Sequence, residues 1–188
     1  MLPFDVMAET QPQLTNARPP RGGSADPAQP LDAIDLSILV LLLRDARSSV
    51  RKIAAGVGMS APAISERIAR LERQGVIRGY RAEVDWARLG YGLTAYLMIT
   101  GVQGWEQTET VEALCRLREV EDVEIVTGTA DLVVKVRVRD HAHLRECLFE
   151  RIWKVPGVHR TETMICLGED SAKPFDLELA ESLREPTL

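Results

Sequence analysis

Residues 50–77 hold apolar side chains at the 3.6-residue spacing of amphipathic helices, on both sides of one break at Gly58. The recurring apolar positions are Ile53, Val57, Met59, Ile64, Ile68 and Leu71. A glycine suits the left-handed turn that ends a helix, and the small Ala54 lets two helices cross closely. Ser60 is a natural N-cap for the second helix, whose first turn tolerates Pro62. The pattern predicts a helix-turn-helix, although an ordinary helical hairpin would need the same spacing.

The distribution of charge favours the first of these interpretations. The whole chain has a net charge of −5, which argues against a general polyanion-binding protein. Residues 44–88, however, hold ten basic and five acidic side chains, so this segment is +5 and the remainder is −10. A solvated helical face would explain some of these charges. A basic helix-turn-helix joined to an acidic remainder is more typical of a DNA-binding module attached to a second domain.

We expect two classes of DNA contact within this segment. Basic side chains should hold phosphates, while residues at the exposed start of the second helix should approach base edges. The predicted phosphate-binding residues are Arg51, Lys52, Arg67, Arg70 and Arg73. The predicted base-contacting residues are Ser60, Ala61, Pro62, Ala63, Ser65 and Glu66.

Other features of the sequence restrict the class of protein. No apolar run approaches the roughly 20 residues of a membrane span, and the N-terminus lacks a secretory signal pattern. The three cysteines form no CxxC pair and lie within apolar patterns, which predicts reduced core residues in a cytosolic protein. They are Cys115, Cys147 and Cys166. The three histidines lack metal-ligand spacing, so we expect no metal and no cofactor. Together with the missing secretory signal pattern, the reduced cysteines predict a cytoplasmic protein.

The chain divides into five segments on composition and periodicity. Residues 1–30 contain six of the ten prolines and predict a disordered arm. Residues 31–78 form the helix-turn-helix domain, in which Asp32 caps a first helix that runs to about Asp45. A short strand and hinge are expected over 76–89, and the linker between the domains is assigned to 79–90. A second domain should follow at 91–169, and an acidic, mobile tail at 170–188.

The second domain changes from a helical to a mixed pattern. Strands are predicted at 93–102, 123–127, 132–139 and 160–167. Helices are predicted at 106–118 and from Asp140 to the Pro156-Gly157 stop. The order βαββαβ indicates an α+β, ferredoxin-like (ACT-like) domain, in which an antiparallel sheet carries both helices on one face. A second copy of the sheet is the usual cover for the other face.

Four sequence segments, in order, make the chain similar to a known family. They are LDAIDLSIL, IAAGVGMSAPAISERIARLERQGVIRGY, TGTADLVVKVRV and VPGVHRTETMI, within residues 31–169. The chain resembles the Lrp/AsnC (feast/famine) transcriptional regulators. The resemblance implies a winged helix-turn-helix that binds operator DNA and a C-terminal domain for effector binding and oligomerisation. It also implies a homodimer, and in many members an octamer.

One turn departs from that family's usual pattern. The family has Gly-Asp-aromatic-Asp where this chain has Gly128-Thr129-Ala130-Asp131. In the family this turn and the final strand line an effector pocket at a subunit interface. The implied effector-binding residues are Gly128, Thr129, Ala130, Asp131, Thr161 and Thr163. Asp131 would receive the ammonium of an amino acid. A plain hairpin turn, and threonines on a strand's outer face, would need no ligand.

The sequence therefore predicts a transcriptional regulator of amino-acid or related metabolism, and not an enzyme. Its partners would be duplex DNA, a small amino-acid-like effector and further copies of itself. Two alternatives remain open at this point. Sirohaem decarboxylases have a similar fold, but they need histidines for a porphyrin carboxylate, and none of the three here lies in the helix-turn-helix half. The second alternative is an architectural protein that bends DNA without an effector.

Overall fold

The computed structural model describes residues 30–102, 104, 106–168 and 173–184. Apart from residue 30, the predicted disordered arm therefore lies outside the described residues. The described residues form two compact units, of which the first comprises residues 30–79 with 179–184 and the second lies within residues 80–178. Among the described residues, no helix has the length and apolar character needed to cross a membrane.

The first unit is built from three helices, α1 (Ala33–Arg44), α2 (Val50–Val57) and α3 (Ala61–Arg73). Their core consists of Ile38, Ile53, Ala54, Ile64 and Leu71. Gly58 ends α2 with a φ of 75°, a left-handed conformation that glycine adopts without steric cost. These three helices confirm the predicted helix-turn-helix.

Ser60 occupies the N-cap position of α3, as predicted, although its side chain makes no capping hydrogen bond. One local expectation in this region is wrong. The strand expected over 76–89 is absent, and a short 3-10 helix at Ala87–Leu89 is the regular structure there. Residues 80–86 lie exposed without a strand partner, and an isolated strand has no hydrogen bonds to hold it.

The second unit contains one antiparallel sheet and two helices. The strands are β1 (Leu93–Gly101), β2 (Val120–Ile125), β3 (Leu132–Val138) and β4 (Val158–Ile165), in the spatial order β2-β3-β1-β4. The helices are α4 (Gln107–Cys115) and α5 (His141–Glu150). This arrangement confirms the predicted βαββαβ order.

The two faces of this sheet differ in what covers them. One face packs against α4 and α5 through a core of alternate strand residues. Those residues are Ala95, Leu97, Ile99, Leu132, Val134, Val136 and Val138. The side chains between them point to the opposite face, where Tyr96, Met98 and Val133 are half-buried and Met164 is 52% exposed. We call this opposite face, defined by these four residues, the open sheet face.

The cysteines have three different environments. Cys147 is buried in the core, and this burial raises the pKa of its thiol to about 11. Cys166 is half-buried, whereas Cys115 is exposed at the end of α4. The expectation that all three are core residues is therefore wrong for Cys115, because the last turn of α4 leaves that side chain on the solvent side.

The acidic tail contains a helix, α6 (Phe175–Arg184), where a mobile segment was expected. Ala180 is 8% exposed, and Glu181 Oε1 lies 2.5 Å from Arg44 Nη2. Acidic residues in the first turn, Asp176 and Glu178, also suit the positive end of the helix dipole. Acidic composition alone thus gave the wrong expectation, because the apolar residues of this segment recur at helical spacing.

Candidate nucleic-acid interface and effector site

Helix α3 turns one side to the core and another to solvent. Ile64 and Leu71 anchor it with no exposed surface. At about 100° per residue, positions four, seven and eleven after Pro62 fall on the opposite side of the helix. We call this side the α3 solvent stripe, and its residues are Pro62, Ser65, Glu66, Ala69 and Arg73. Sequence reasoning missed Ala69, although its spacing from Glu66 and Arg73 could have identified it.

The other predicted base-contacting residues lie in different positions. Ser60 is exposed where α3 begins. Ala61 and Ala63 are both half-buried, and Ala61 packs against the core of the first unit. Ala61 therefore contributes to helix packing, and its contact with bases stays a prediction.

Three of the five predicted phosphate-binding residues have exposed side chains. They are Arg51 and Lys52 in the first turn of α2, and Arg73 in the last turn of α3. Lys52 Nζ lies 3.1 Å from Asp45 Oδ2, but both side chains remain largely exposed. Arg51 and Arg73 form no ion pair with any residue that the structure describes. These cations are accessible to an anion in solvent.

The two remaining arginines are paired inside the first unit. Arg67 Nη1 lies 2.6 Å from Asp32 Oδ2 and 2.9 Å from Asp35 Oδ1, while Arg70 Nη2 lies 2.6 Å from Asp35 Oδ2. We call these four residues the α1–α3 clamp. Hydrogen bonds to Asp32 and Asp35 raise the pKa of Arg67. Carboxylates of α1 and its N-cap thus pair with both guanidinium groups, and a phosphate-binding role for Arg67 and Arg70 stays a prediction.

The sequence contains a signal for the clamp. Asp32 and Asp35 are three residues apart, as are Arg67 and Arg70, so each pair falls on one face of its segment. The backbone amide of Asp35 donates a 2.8 Å hydrogen bond to Asp32, and this bond, with the nearby Arg67, lowers the pKa of the Asp32 carboxyl. The carboxylates of Asp32 and Asp35 therefore lie opposite the guanidinium groups of Arg67 and Arg70.

The second unit has a cavity of about 320 Å³ at one end of the sheet. Its lining comes from β1, the turn before β3, the start of α4 and the turn before β4. The lining residues are Ile99, Gly101, Val102, Gln107, Thr110, Asp131, Leu132 and Gly157. Asp131 is the one predicted effector residue among them. The backbone amide of Gly101 donates a 2.8 Å hydrogen bond to Asp131 Oδ2, which fixes the carboxylate.

The remaining turn residues lie beside this cavity without lining it. Gly128 has a φ of 126°, which a residue with a side chain rarely adopts, so the glycine is required by the turn. Thr129 is exposed, and Ala130 is buried with 5% of its surface exposed. Ala130 therefore points into the protein, and its side chain does not line the cavity.

Thr161 and Thr163 lie away from Asp131 within one chain. Thr161 and Leu132 pair with opposite sides of Ile99, so two strand spacings, about 10 Å, separate β3 from β4. The Trp153 indole donates a 2.8 Å hydrogen bond to Thr161 Oγ1. Thr163 is exposed on β4. A single chain thus does not bring these hydroxyls to the Asp131 cavity, and their role in an effector pocket at a subunit interface stays a prediction.

Family models match both units of the chain. The model of a winged helix-turn-helix DNA-binding domain matches residues 31–78. The model of the Lrp/AsnC ligand binding domain matches residues 94–173. The first match contains the α3 solvent stripe, and the second contains the Asp131 cavity.

Individual proteins agree with these matches. An HTH-type transcriptional regulator of Pyrococcus horikoshii is 35% identical over 73% of this chain and 90% of its own length. The leucine-responsive regulatory protein of Escherichia coli K12 is 36% identical over 76% of this chain and 88% of its own. The structure of a feast or famine regulatory protein of M. tuberculosis, complexed with L-methionine, superposes with a TM-score of 0.71. It is 31% identical, and the match covers 76% of this chain and 96% of that one. The chain therefore belongs to the Lrp/AsnC family of helix-turn-helix transcriptional regulators.

Proposed function

We propose that this regulator reads duplex DNA with the α3 solvent stripe. The observation that carries the proposal is the stripe itself, a polar surface on a helix whose other side is anchored by Ile64 and Leu71. The start of a recognition helix approaches base edges in such domains. Ser60, Pro62, Ser65, Glu66 and Ala69 would contact bases. Arg51, Lys52 and Arg73 would hold phosphates on either side.

We propose further that an amino acid occupies the Asp131 cavity. Its volume of about 320 Å³ is at the lower end of the range for small-molecule sites. Asp131 would receive the ammonium group through a charge-assisted hydrogen bond. The carboxylate would meet backbone amides at Gln107, where α4 begins without a side-chain cap. The L-methionine complex of the M. tuberculosis relative supports an amino-acid ligand.

The open sheet face supports a homodimer as the functional oligomeric state. Apolar side chains on a sheet face gain stability when a second copy covers them, and twofold pairing is the commonest arrangement. In the family's pattern, the turn that holds Asp131 and the final strand line an effector pocket at a subunit interface. The separation of Asp131 from Thr161 within one chain is consistent with such a site. Action on operator DNA would place the protein in the cytoplasm, as a regulator and not an enzyme.

The salt dependence of DNA affinity tests the proposed DNA surface. Each phosphate contact contributes about 0.9 to the slope of log K against log salt concentration. Arg73→Gln in the full chain should make the slope shallower by about that amount while leaving base preference unchanged. The preferred sequence is first selected from a random duplex library, and anisotropy titrations at several salt concentrations then give the slope.

A matched control separates this effect from a change in overall charge. Arg116→Gln removes one exposed arginine of α4, paired only with Glu112 among the described residues, and should leave the slope unchanged. Equal slopes for the wild type and Arg73→Gln would contradict the assignment of Arg73 to a phosphate.

A further inference from the structure

Asp35 is a charged residue with only 1% of its surface exposed. Both of its carboxylate oxygens are paired, one with Arg67 at 2.9 Å and the other with Arg70 at 2.6 Å. A buried carboxylate is costly unless cations and hydrogen bonds compensate it. If the two arginines turned towards solvent, the buried carboxylate of Asp35 would lose its ion pairs, and the folded protein would be less stable.

The clamp also determines where the α3 arginines point. At about 100° per residue, Arg70 lies roughly 60° and Arg67 roughly 120° around the helix from Arg73. Their side chains are 34% and 22% exposed, whereas Arg73 is exposed. Two of the three arginines of α3 are thus turned from the α3 solvent stripe towards α1.

We propose that Asp35 is a positioning residue for DNA recognition, which withholds Arg67 and Arg70 from phosphates and keeps the α3 solvent stripe as the reading surface. The inference rests on the proposed DNA-binding function and assigns to it a residue that touches no DNA. Phosphate contacts add affinity for any sequence. By limiting α3 to the single phosphate contact of Arg73, Asp35 preserves the difference between operator and random DNA.

The variant Asp35→Asn keeps the size of the side chain and removes the only clamp carboxylate paired with Arg70, whereas Arg67 keeps its ion pair with Asp32. With the full chain and a random-sequence duplex, we expect the slope of log K against log salt to steepen by up to about 1.8, for two new phosphate contacts. Between 50 and 200 mM salt this corresponds to an additional loss of about tenfold in affinity. The ratio of affinities for selected and random duplexes should fall. A wild-type slope and ratio in folded Asp35→Asn would overturn the proposal.

A triple variant distinguishes sequestered arginines from a merely structural role. In Asp35→Asn with Arg67→Gln and Arg70→Gln, three of the four clamp residues become neutral amides, and Asp32 alone keeps its charge. The proposal expects the wild-type slope, because neither arginine contacts phosphate in the wild type. A slope shallower by about 1.8 would show that both do, and would overturn the proposal even if Asp35→Asn alone failed to fold.

The Arg73→Gln variant keeps this result separate from the proposed DNA surface. If Arg73→Gln leaves the slope unchanged while Asp35→Asn steepens it and the triple variant restores it, the assignment of Arg73 fails and the role of Asp35 stands. If Arg73→Gln lowers the slope and the triple variant lowers it further, the surface stands and the role of Asp35 fails. Circular dichroism at each salt concentration verifies that the variants are folded.

Discussion

Asp131 uses its two carboxylate oxygens differently. Oδ2 accepts a hydrogen bond from the backbone amide of Gly101, and no described residue donates to Oδ1. The carboxylate is therefore oriented by β1 while retaining capacity for a second donor. A free ammonium group is a donor of the right charge, and the cavity beside Asp131 has room for it.

The variant Asp131→Asn should abolish amino-acid binding while leaving basal DNA binding intact. It preserves side-chain volume and can still accept the Gly101 hydrogen bond, but it loses the charge that pairs with an ammonium. Calorimetry against the twenty amino acids, beginning with L-methionine, gives the affinities. Glu112→Gln, an exposed carboxylate on α4, is the control and should bind as the wild type does. Equal affinity in Asp131→Asn would place the ligand elsewhere.

A buried ion-pair cluster joins three elements of the second unit. Glu119, just before β2, is 3% exposed and pairs with Arg118 at 3.1 Å and with Arg151 beyond α5. The backbone amide of Arg139 donates a hydrogen bond to Nδ1 of His143 in α5. The imidazole proton of His143 therefore lies on Nε2, which is 3.4 Å from Glu119 Oε1. Burial alone would raise the pKa of Glu119, but hydrogen bonds from its own backbone amide and Arg151 lower it overall.

The variant Glu119→Gln should lower the free energy of unfolding by about 2 kcal/mol at neutral pH, because charged hydrogen bonds are lost. Since the pKa of Glu119 is lower in the folded than in the unfolded protein, its contribution is complete above the ordinary value of 4.5 and is lost as the pH falls through the folded pKa. Urea unfolding at several pH values should show the two proteins converging in acid.

The exposed pair of Glu150 and Lys154 provides the control for this measurement. Both side chains are more than half exposed, so Glu150→Gln should change stability by less than about 1 kcal/mol. A stability difference between Glu119→Gln and the wild type that persisted undiminished at pH 3 would show that the charge of Glu119 is not its cause.

Most elements could be predicted because their side-chain patterns are local. The strict alternation of β3 fixed both its strand character and its buried face. Gly58 marked the turn of the helix-turn-helix. The prediction of a strand over 76–89 was wrong because a strand needs a second segment for its backbone hydrogen bonds. The sheet of the described residues contains no strand from 76–89. α6 was missed because acidic composition was weighed above periodicity.

The candidate sites were less predictable because they depend on contacts distant in sequence. The sequence of α3 alone does not distinguish the roles of its three arginines, and only the approach of α1 shows that Arg67 and Arg70 face Asp35. The Asp131 cavity likewise needs Gln107 and Gly157, which lie in segments that carry no binding motif. Asp131 was identified only through its place in a family pattern.

The open sheet face gives a prediction for the whole molecule. The variant Met164→Glu places a charge on that face and should convert a dimer to a monomer, because burying an unpaired carboxylate is unfavourable. Light scattering at micromolar concentration should show at least twice the chain mass of 20.9 kDa for the wild type, and 20.9 kDa for the variant.

A similar substitution outside that face provides the comparison. Ile125 is 66% exposed on β2 and lies on the side of the sheet that carries the helices. The variant Ile125→Glu should retain the wild-type mass. If Met164→Glu also retained it, assembly would have to use another surface.

The first unit is discontinuous in sequence, because the described residues 179–184 belong with the three helices at residues 33–73. During translation the chain emerges from its N-terminal side, and domains generally fold as they appear. The helix-turn-helix leaves the ribosome first, but Arg44 can form its ion pair with Glu181 only after the whole second unit has been synthesised. The unit that begins to fold earliest is therefore the one completed last.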